Sequence, residues 1–212
     1  MLTPEQLRLI VITDEKLAAP RSVSDIVQAA VDAGAPAIQL RSKDATAREA
    51  AELGQRLREI TTCAGALLFV NDRFDVALSI GADGVHVGPD DLPVAAVRRT
   101  APAGFLIGTS TDDPGEAVRL VAQGADYIGC GTVYPTRTKR DAGQSIGLDG
   151  LSAVVAAVEV PVVGIGGIDE RAARAVAQHT GAAGVATVSA VMRAEDPART
   201  VSSLLHPFEK RR

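Results

Sequence analysis

Three basic side chains, Arg41, Lys43 and Lys139, follow apolar runs at positions where they could hold an anion. Arg41 and Lys43 are two residues apart, so on an extended strand end they point the same way. Arginine presents a planar fork of donors to phosphate oxygens, and lysine presents a compact charge. Any one of them could be an ordinary surface cation, but the three together favour a diphosphate-binding site.

Two aspartates, Asp72 and Asp91, also lie just beyond short apolar runs. Magnesium in proteins usually takes one or two carboxylates, and water and substrate phosphates complete its shell. Both aspartates also precede stretches of helical periodicity, where a carboxylate often caps the helix. Spacing alone does not decide between a magnesium site and helix capping.

A glycine-rich stretch, Gly166-Gly167, and the later pair Val188-Ser189 could hold a phosphate group. Glycine lets the backbone approach a ligand closely, and the first turn of a helix presents N–H groups and a dipole that favour anions. The pattern predicts phosphate binding. The alternative is that the glycines only form a tight turn between a strand and a helix.

The remaining reactive side chains give weaker signals. His86 lies between Val85 and Val87 and should face opposite to them. We interpret it as a structural histidine between sheet and helix. No Ser-His-Asp triad or HExxH zinc motif is evident in the sequence. Cys63 and Cys130 lack metal-type spacing, and we expect them to be small buried side chains in a reducing compartment.

The elements that must position these residues are short apolar runs alternating with helical patterns, as in parallel strands covered on both faces. The predicted strands are 9–13, 37–40, 67–71, 84–87, 105–108, 127–129, 162–165 and 184–188. The predicted helices are 22–33, 45–62, 73–80, 92–99, 113–123, 148–157, 169–178 and 189–205. Helices are expected to end in left-handed caps at Gly34, Gly81, Gly124 and Gly181, each just before a strand.

Eight matched units favour a closed (β/α)8 TIM barrel, an α/β fold, over an open doubly wound sheet. We expect a single catalytic domain over residues 1–212, with residues 207–212 as a flexible tail. Enzymes of this fold carry their active sites in the loops that follow the strands. The cationic, carboxylate and glycine-rich segments would then meet at one mouth.

Composition narrows the class of protein further. The chain has 212 residues, 46% of them hydrophobic, and a formal net charge of -4. This favours one folded domain and argues against nucleic-acid binding. The first residues do not read as a signal peptide, and no apolar run approaches the length of a membrane span. We expect a cytoplasmic protein with no nucleic-acid or membrane partner, and a homo-oligomer is left open.

Taken in order, the motifs resemble those of the thiamine-phosphate synthase family over residues 9–197. They are QLRxK at 39–43, ND at 71–72, GxxD at 88–91, GxS at 108–110, YPTxTK at 134–139, GxGGI at 164–168 and VSA at 188–190. The resemblance implies a transferase that couples hydroxymethylpyrimidine diphosphate with thiazole phosphate, giving thiamine phosphate and pyrophosphate. Its implied cofactor is Mg²⁺. A thiazole tautomerase-like barrel and a non-catalytic ligand-binding protein of the thiamine pathway are the alternatives.

The resemblance also implies roles for particular residues. Arg41, Lys43, Ser110 and Lys139 would be catalytic, and Asp72 and Asp91 would ligate Mg²⁺. Pro89 and Asp112 depart from the family pattern, where Gln and His are common, and this puts fine geometry in question. The pyrimidine diphosphate would be held by Gln39, Leu40, Arg41, Ser42, Lys43, Asn71, Ser110 and Lys139. The thiazole phosphate would be held by Thr136, Arg137, Thr138, Gly166, Gly167, Val188 and Ser189.

Overall fold

Eight short parallel strands pair in chain order, and the last pairs with the first, which closes the sheet into a barrel. In the register, Val11 stands opposite both Ile38 and Thr187. The computed structural model describes residues 2–136 and 144–209, and it confirms the predicted (β/α)8 fold. The strands are β1 (Leu9–Ile12), β2 (Ala37–Leu40), β3 (Leu67–Asn71), β4 (Gly84–Val87), β5 (Leu106–Ser110), β6 (Tyr127–Cys130), β7 (Val162–Ile165) and β8 (Gly184–Thr187).

Helices connect the strands and cover the outside of the barrel. A 3-10 turn at Pro4–Leu7 precedes β1, and neither this turn nor the short helix α1 was predicted. The left-handed glycines at the four predicted helix ends are confirmed. The helices are α1 (Glu15–Ala18), α2 (Val23–Asp32), α3 (Ala47–Ala64), α4 (Phe74–Ser79), α5 (Val94–Thr100), α6 (Pro114–Ala122), α7 (Gly147–Ala157), α8 (Glu170–His179), α9 (Ser189–Met192) and α10 (Pro197–Glu209).

The prediction of one helix over 189–205 is wrong, because the chain forms α9 and α10 there. The carboxylate of Asp196 accepts a hydrogen bond from the backbone N–H of Arg199 at 3.0 Å, and Pro197 occupies the first position of α10. An aspartate cap followed by proline starts a new helix.

The expected tail over 207–212 is wrong for its first three residues. Helix α10 continues to Glu209, and the Phe208 side chain is buried in the core. Residues 210–212 lie outside the described residues.

The cysteine expectation is correct for one residue only. Cys130, at the end of β6, is buried, and burial raises the pKa of its thiol to about 12. Cys63 lies near the end of α3 and is exposed, so the prediction of a buried side chain was wrong there.

Two layers of side chains form the core. A larger outer layer packs the strands against the helices, and a smaller inner cluster fills the barrel. In the inner cluster the rings of Phe69 and Tyr127 meet edge to face with centroids 5.2 Å apart. Gly108 leaves room for this arrangement, since a Cβ there would lie 2.1 Å from Cζ of Tyr127. Of the two rings, Tyr127 also lines the cavity that opens at the carboxyl ends of the strands. Within residues 2–136 and 144–209, no helix combines the length and apolar character needed to cross a membrane.

Candidate active site

The loops that follow the strands surround a cavity of about 390 Å³. A wider groove of about 1370 Å³ lies outside it and shares Arg41, Lys43, Thr136, Gly167 and Ser189 with it. Segments far apart in sequence therefore meet at one mouth. The candidate residues that line the inner cavity are Gln39, Arg41, Lys43, Asn71, Asp72, Asp91, Ser110, Thr136, Gly166, Gly167, Val188 and Ser189.

The other candidate residues lie elsewhere. Leu40 is 1% exposed and belongs to the layer between strands and helices, so its side chain does not reach the cavity. Ser42 lines the outer groove, where its hydroxyl donates to Glu15 Oε1 at 2.7 Å. Arg137, Thr138 and Lys139 lie outside the described residues.

Arg41 is held in place by the end of β1. The Thr13 hydroxyl, fully buried, accepts from the backbone N–H of Arg41 at 2.9 Å and donates to its carbonyl at 3.2 Å. The Arg41 guanidinium lies 3.3 Å from the Asp14 carboxylate, which also caps α1 by accepting from Leu17 N at 3.0 Å. No role for this strand end was predicted from the sequence. The polar pair Thr13-Asp14, directly after the apolar run 9–12, is the signal that could have pointed to it.

Asp72 and Asp91 follow β3 and β4 and line the same part of the cavity. Asp72 has a left-handed backbone, with φ of 63°. Asp91 accepts a hydrogen bond from Gly88 N at 2.7 Å. The helices that follow begin at the N-cap residues Arg73 and Pro93, neither of which makes a side-chain cap bond. Helix capping is therefore the wrong reading of both aspartates.

The electrostatics of this pair fit a bound cation. Burial, a hydrogen bond with Asp91 and the negative charge of Asp91 raise the pKa of Asp72 to about 6, although Arg41 and Lys43 act in the opposite direction. A divalent cation beside both carboxylates would offset their repulsion. Within the described residues no group of three or more His, Cys, Asp or Glu side chains could hold a metal. Two carboxylates suit Mg²⁺, which takes its other ligands from water and substrate oxygens.

The cavity wall that follows β7 and β8 consists largely of backbone. Gly166 and Gly167 have φ of 100° and 63°. A Cβ on Gly167 would lie 2.7 Å from Tyr134 Cβ and 2.8 Å from the carbonyl oxygen of Pro135, so only glycine fits without displacement. Ser189 begins α9. The first N–H groups of a helix have no partner within it, and this wall can therefore receive an anion.

The interpretation of His86 as lying between sheet and helix was wrong. Val85 and Val87 pack in the outer layer, and His86 points into the barrel. Its Nδ1 lies 2.9 Å from the Tyr127 hydroxyl oxygen, and its Nε2 lies 2.8 Å from Ser110 Oγ. Alternation gave the relative direction correctly, but it does not say which face of the strand is inside.

The two departures from the family pattern lie in different surroundings. Pro89 is exposed on the rim and lines the cavity. Asp112 is exposed and lines neither the cavity nor the outer groove. Only Pro89 can therefore alter contacts at the cavity directly.

Together, these features define a (β/α)8 barrel of the enzyme type, with a candidate active site at the carboxyl ends of the strands. The family model described as thiamine monophosphate synthase matches residues 9–191. The chain is 46% identical over 206 residues to the thiamine-phosphate synthase of Pyrococcus horikoshii, covering 97% of each protein. It is 44% identical over 200 residues to that of Moorella thermoacetica, covering 94% of each. The chain belongs to the thiamine monophosphate synthase family and is a transferase of thiamine biosynthesis.

Comparison of structures agrees with this assignment. The thiamine phosphate pyrophosphorylase from Pyrococcus furiosus superposes with a TM-score of 0.90 at 43% identity, covering 98% of each chain. The (S)-3-O-geranylgeranylglyceryl phosphate synthase from Thermoplasma acidophilum has a TM-score of 0.67 at 16% identity, with 99% of this chain and 100% of that chain covered. At that identity, the second similarity shows the fold alone.

Proposed function

We propose that this chain couples hydroxymethylpyrimidine diphosphate with thiazole phosphate and releases thiamine phosphate and pyrophosphate. One observation carries the proposal: a single cavity has two cations and two carboxylates on the β2–β4 arc and a glycine-rich phosphate wall on the β7–β8 arc. Two anionic substrates that react with each other need two anion-binding regions in one cavity, and these two arcs could supply them. The names of the relatives support the same reaction.

The pyrimidine diphosphate would occupy the arc formed by β2, β3 and β5. Arg41 and Lys43 would contact its diphosphate oxygens, and Arg41 is already oriented by Thr13 and Asp14. Asn71 and Ser110 line the cavity beside them and would contact the same substrate. Lys139, from the segment after β6, would add a third cation.

Asp72 and Asp91 would hold Mg²⁺, as their crowding and the raised pKa of Asp72 support. When bound, the ion would supply positive charge that neutralises the diphosphate oxygens. The chain itself contributes the two carboxylates and the backbone of Gly88, whose N–H fixes the direction of the Asp91 carboxylate.

The bond changes need no protein nucleophile. The thiazole nitrogen has a lone pair and can attack the pyrimidine methylene carbon without losing a proton. A C–N bond forms there, the C–O bond to the diphosphate breaks, and pyrophosphate leaves with the bonding electron pair. The aminopyrimidine ring can delocalise positive charge at this carbon, which supports a dissociative path.

The protein would act chiefly by positioning the substrates and by stabilising charge. Gly166-Gly167 and Val188-Ser189, with Thr136 to Thr138, would hold the thiazole phosphate, and this would place its ring against the pyrimidine. Orientation of two substrates in one cavity can supply several kcal/mol, on the order of 7. Arg41, Lys43 and Lys139 would neutralise charge that grows on the departing oxygens.

The test is to incubate the purified protein with both substrates and MgCl2, and to follow thiamine phosphate and pyrophosphate by mass spectrometry and ³¹P NMR. Product should form only when both substrates are present. Lys43→Gln should lower the rate strongly, whereas Arg56→Gln, an exposed cation of the outer groove, should not. Conversion of the thiazole phosphate without the pyrimidine, or binding of both substrates without product, would overturn the proposal.

A further inference from the structure

A buried chain of polar side chains runs from Gln39 through Tyr127 and His86 to Ser110. Gln39 hydrogen-bonds the Tyr127 hydroxyl, which lies 2.9 Å from His86 Nδ1, and His86 Nε2 lies 2.8 Å from Ser110 Oγ. Gln39, Tyr127 and His86 are 3%, 1% and 9% exposed. All four side chains line the cavity, and Ser110 alone of them is only partly buried, so it is the one most open to a ligand.

The strands that surround this chain leave space for it. A Cβ on Gly108 would lie 2.5 Å from the Tyr127 hydroxyl oxygen. A Cβ on Gly129 would lie 3.0 Å from His86 Cε1 and 3.5 Å from Ser110 Oγ. Strands β5 and β6 therefore lack side chains where the two rings lie, and this leaves the space that the contacts among the four residues need.

The direction of each hydrogen bond follows from the donors and acceptors present. Burial raises the pKa of Tyr127 far above its usual range, so this residue stays a neutral hydroxyl. The Gln39 amide donates to the phenolic oxygen, and the Tyr127 hydrogen then points to His86 Nδ1. A neutral imidazole that accepts at Nδ1 carries its hydrogen on Nε2, which donates to Ser110 Oγ. The Ser110 hydroxyl hydrogen is left to point into the cavity.

We propose that His86 and Tyr127 are positioning residues that make Ser110 a hydrogen-bond donor to the pyrimidine diphosphate. The inference rests on the proposed function for the identity of this ligand. No proton leaves any of the four side chains, because the chain fixes direction only. In a barrel without this chain, the Ser110 hydroxyl could rotate and accept instead.

The resting protein gives a first test that needs no substrate. The sequence has three histidines, and the His86 signals in a ¹⁵N-imidazole-labelled sample can be assigned by their loss in His86→Gln. We expect His86 to be neutral, with hydrogen on Nε2, and Tyr127→Phe to alter its signals. A hydrogen on Nδ1, or signals unchanged in Tyr127→Phe, would overturn the proposed direction.

A double-mutant cycle tests whether Tyr127 acts through Ser110 on the ligand. Tyr127→Phe keeps the ring in the space beside Gly108 and its contact with Phe69, so the variant should fold. Ser110→Ala and Tyr127→Phe should each weaken binding of pyrimidine diphosphate, measured by calorimetry without thiazole phosphate, by about three- to tenfold. In a protein that already carries Ser110→Ala, Tyr127→Phe should weaken the affinity for the pyrimidine diphosphate by less than about a further twofold. Equal effects in both backgrounds would overturn the proposal.

Three further variants separate positioning from simple packing. Thr109→Val removes a buried hydroxyl from the same strand and should leave the affinity unchanged, since Thr109 does not line the cavity. His86→Gln keeps an amide donor toward Ser110 and should bind closer to wild type than His86→Leu does. Equal loss in both His86 variants would overturn the role of the imidazole. If wild-type protein binds the pyrimidine diphosphate but makes no thiamine phosphate, the proposed reaction is overturned. The double-mutant cycle measures binding alone, so it would still test the role of the hydrogen-bond chain.

Discussion

The carboxyl group of Asp72 hydrogen-bonds that of Asp91, although the two residues follow different strands. The register explains the approach, because Asn71 stands opposite His86 and the backbone N–H of Asp72 donates to the His86 carbonyl at 2.8 Å. Two carboxyl groups in contact repel each other when both are ionised. The protein therefore holds a destabilising pair at the place where its family resemblance implies magnesium.

This pair predicts an unusual dependence of stability on pH in metal-free protein. The pKa of Asp72 is about 6 in the folded state, above its ordinary value of 3.8, so the folded state holds a proton that the unfolded state loses. Stability from this group is present below about pH 4 and is lost as pH rises through about 6. Asp72→Asn removes the loss and suits the left-handed backbone, which asparagine tolerates. In EDTA at pH 7.5, the variant should melt at a higher temperature than wild type. At pH 4.5, the difference between the two melting temperatures should be much smaller.

Asp75 offers a matched control near the same strand end. A hydrogen bond from Arg73 lowers the pKa of the Asp75 carboxyl, so the sign is reversed there. Asp75→Asn should make the protein slightly less stable at pH 7.5 than wild type and should change it little at acid pH. Parallel pH profiles for the two variants would contradict the assignment of a raised pKa to Asp72.

Asp91→Asn should make activity depend on higher magnesium. The amide oxygen can still accept from Gly88 N, so the loop is retained, but the variant loses the charge that attracts the cation. We expect the magnesium concentration for half-maximal rate to rise about tenfold or more, in line with the cost of disturbing metal ligation. Steady-state rates across a magnesium titration measure it. The exposed neighbour variant Asp90→Asn should stay near wild type, and the same shift in both variants would point to bulk charge instead of ligation.

Much of the fold could be predicted because its signals are local. Short apolar runs, helical periodicity and glycines at helix ends all depend on neighbours in sequence. The split between α9 and α10 had a local signal too, since Asp196-Pro197 repeats the cap pattern of Asp113-Pro114, whose carboxylate accepts from Glu116 N at 2.6 Å. The prediction of one helix over 189–205 did not take this cap pattern into account.

The rest of the site depends on contacts that sequence does not contain. The hydrogen bond from the Arg41 backbone N–H to the Thr13 hydroxyl depends on the register of β1 against β2, and this register is set by the closed barrel. The side of β4 on which His86 lies follows from which face is inside, and alternation cannot choose it. Spacing alone left Asp72 and Asp91 open between metal ligation and capping, and the family resemblance implied ligation. The helix starts, at the N-cap residues Arg73 and Pro93, then show that neither aspartate is the cap.

Lys139→Ala should reduce turnover more than substrate binding. Its predicted role is to stabilise charge that grows on the leaving pyrophosphate, and such groups contribute mainly in the transition state. We expect kcat to fall on the order of a hundredfold, with a much smaller rise in KM. Arg140→Ala, a neighbouring cation outside the matching motif, is the control. A rise in KM with unchanged kcat would show that Lys139 only binds the ground state.

Gly167→Ala should weaken binding of thiazole phosphate. Gly65→Ala is the control that separates backbone strain from steric contact at the proposed phosphate wall. Both glycines have left-handed backbones, with φ of 63° and 68°, so alanine costs each about 1–2 kcal/mol of stability. A Cβ at Gly65 meets nothing within 4 Å, whereas one at Gly167 lies 2.7 Å from Tyr134 Cβ and 2.8 Å from the Pro135 carbonyl. The backbone around Gly167 must therefore move at the proposed phosphate wall, and the affinity of thiazole phosphate should fall about tenfold or more, as for strain of 1–3 kcal/mol. Calorimetry and thermal melting measure both effects, and an affinity equal to that of Gly65→Ala would mean that the phosphate does not bind against Gly167.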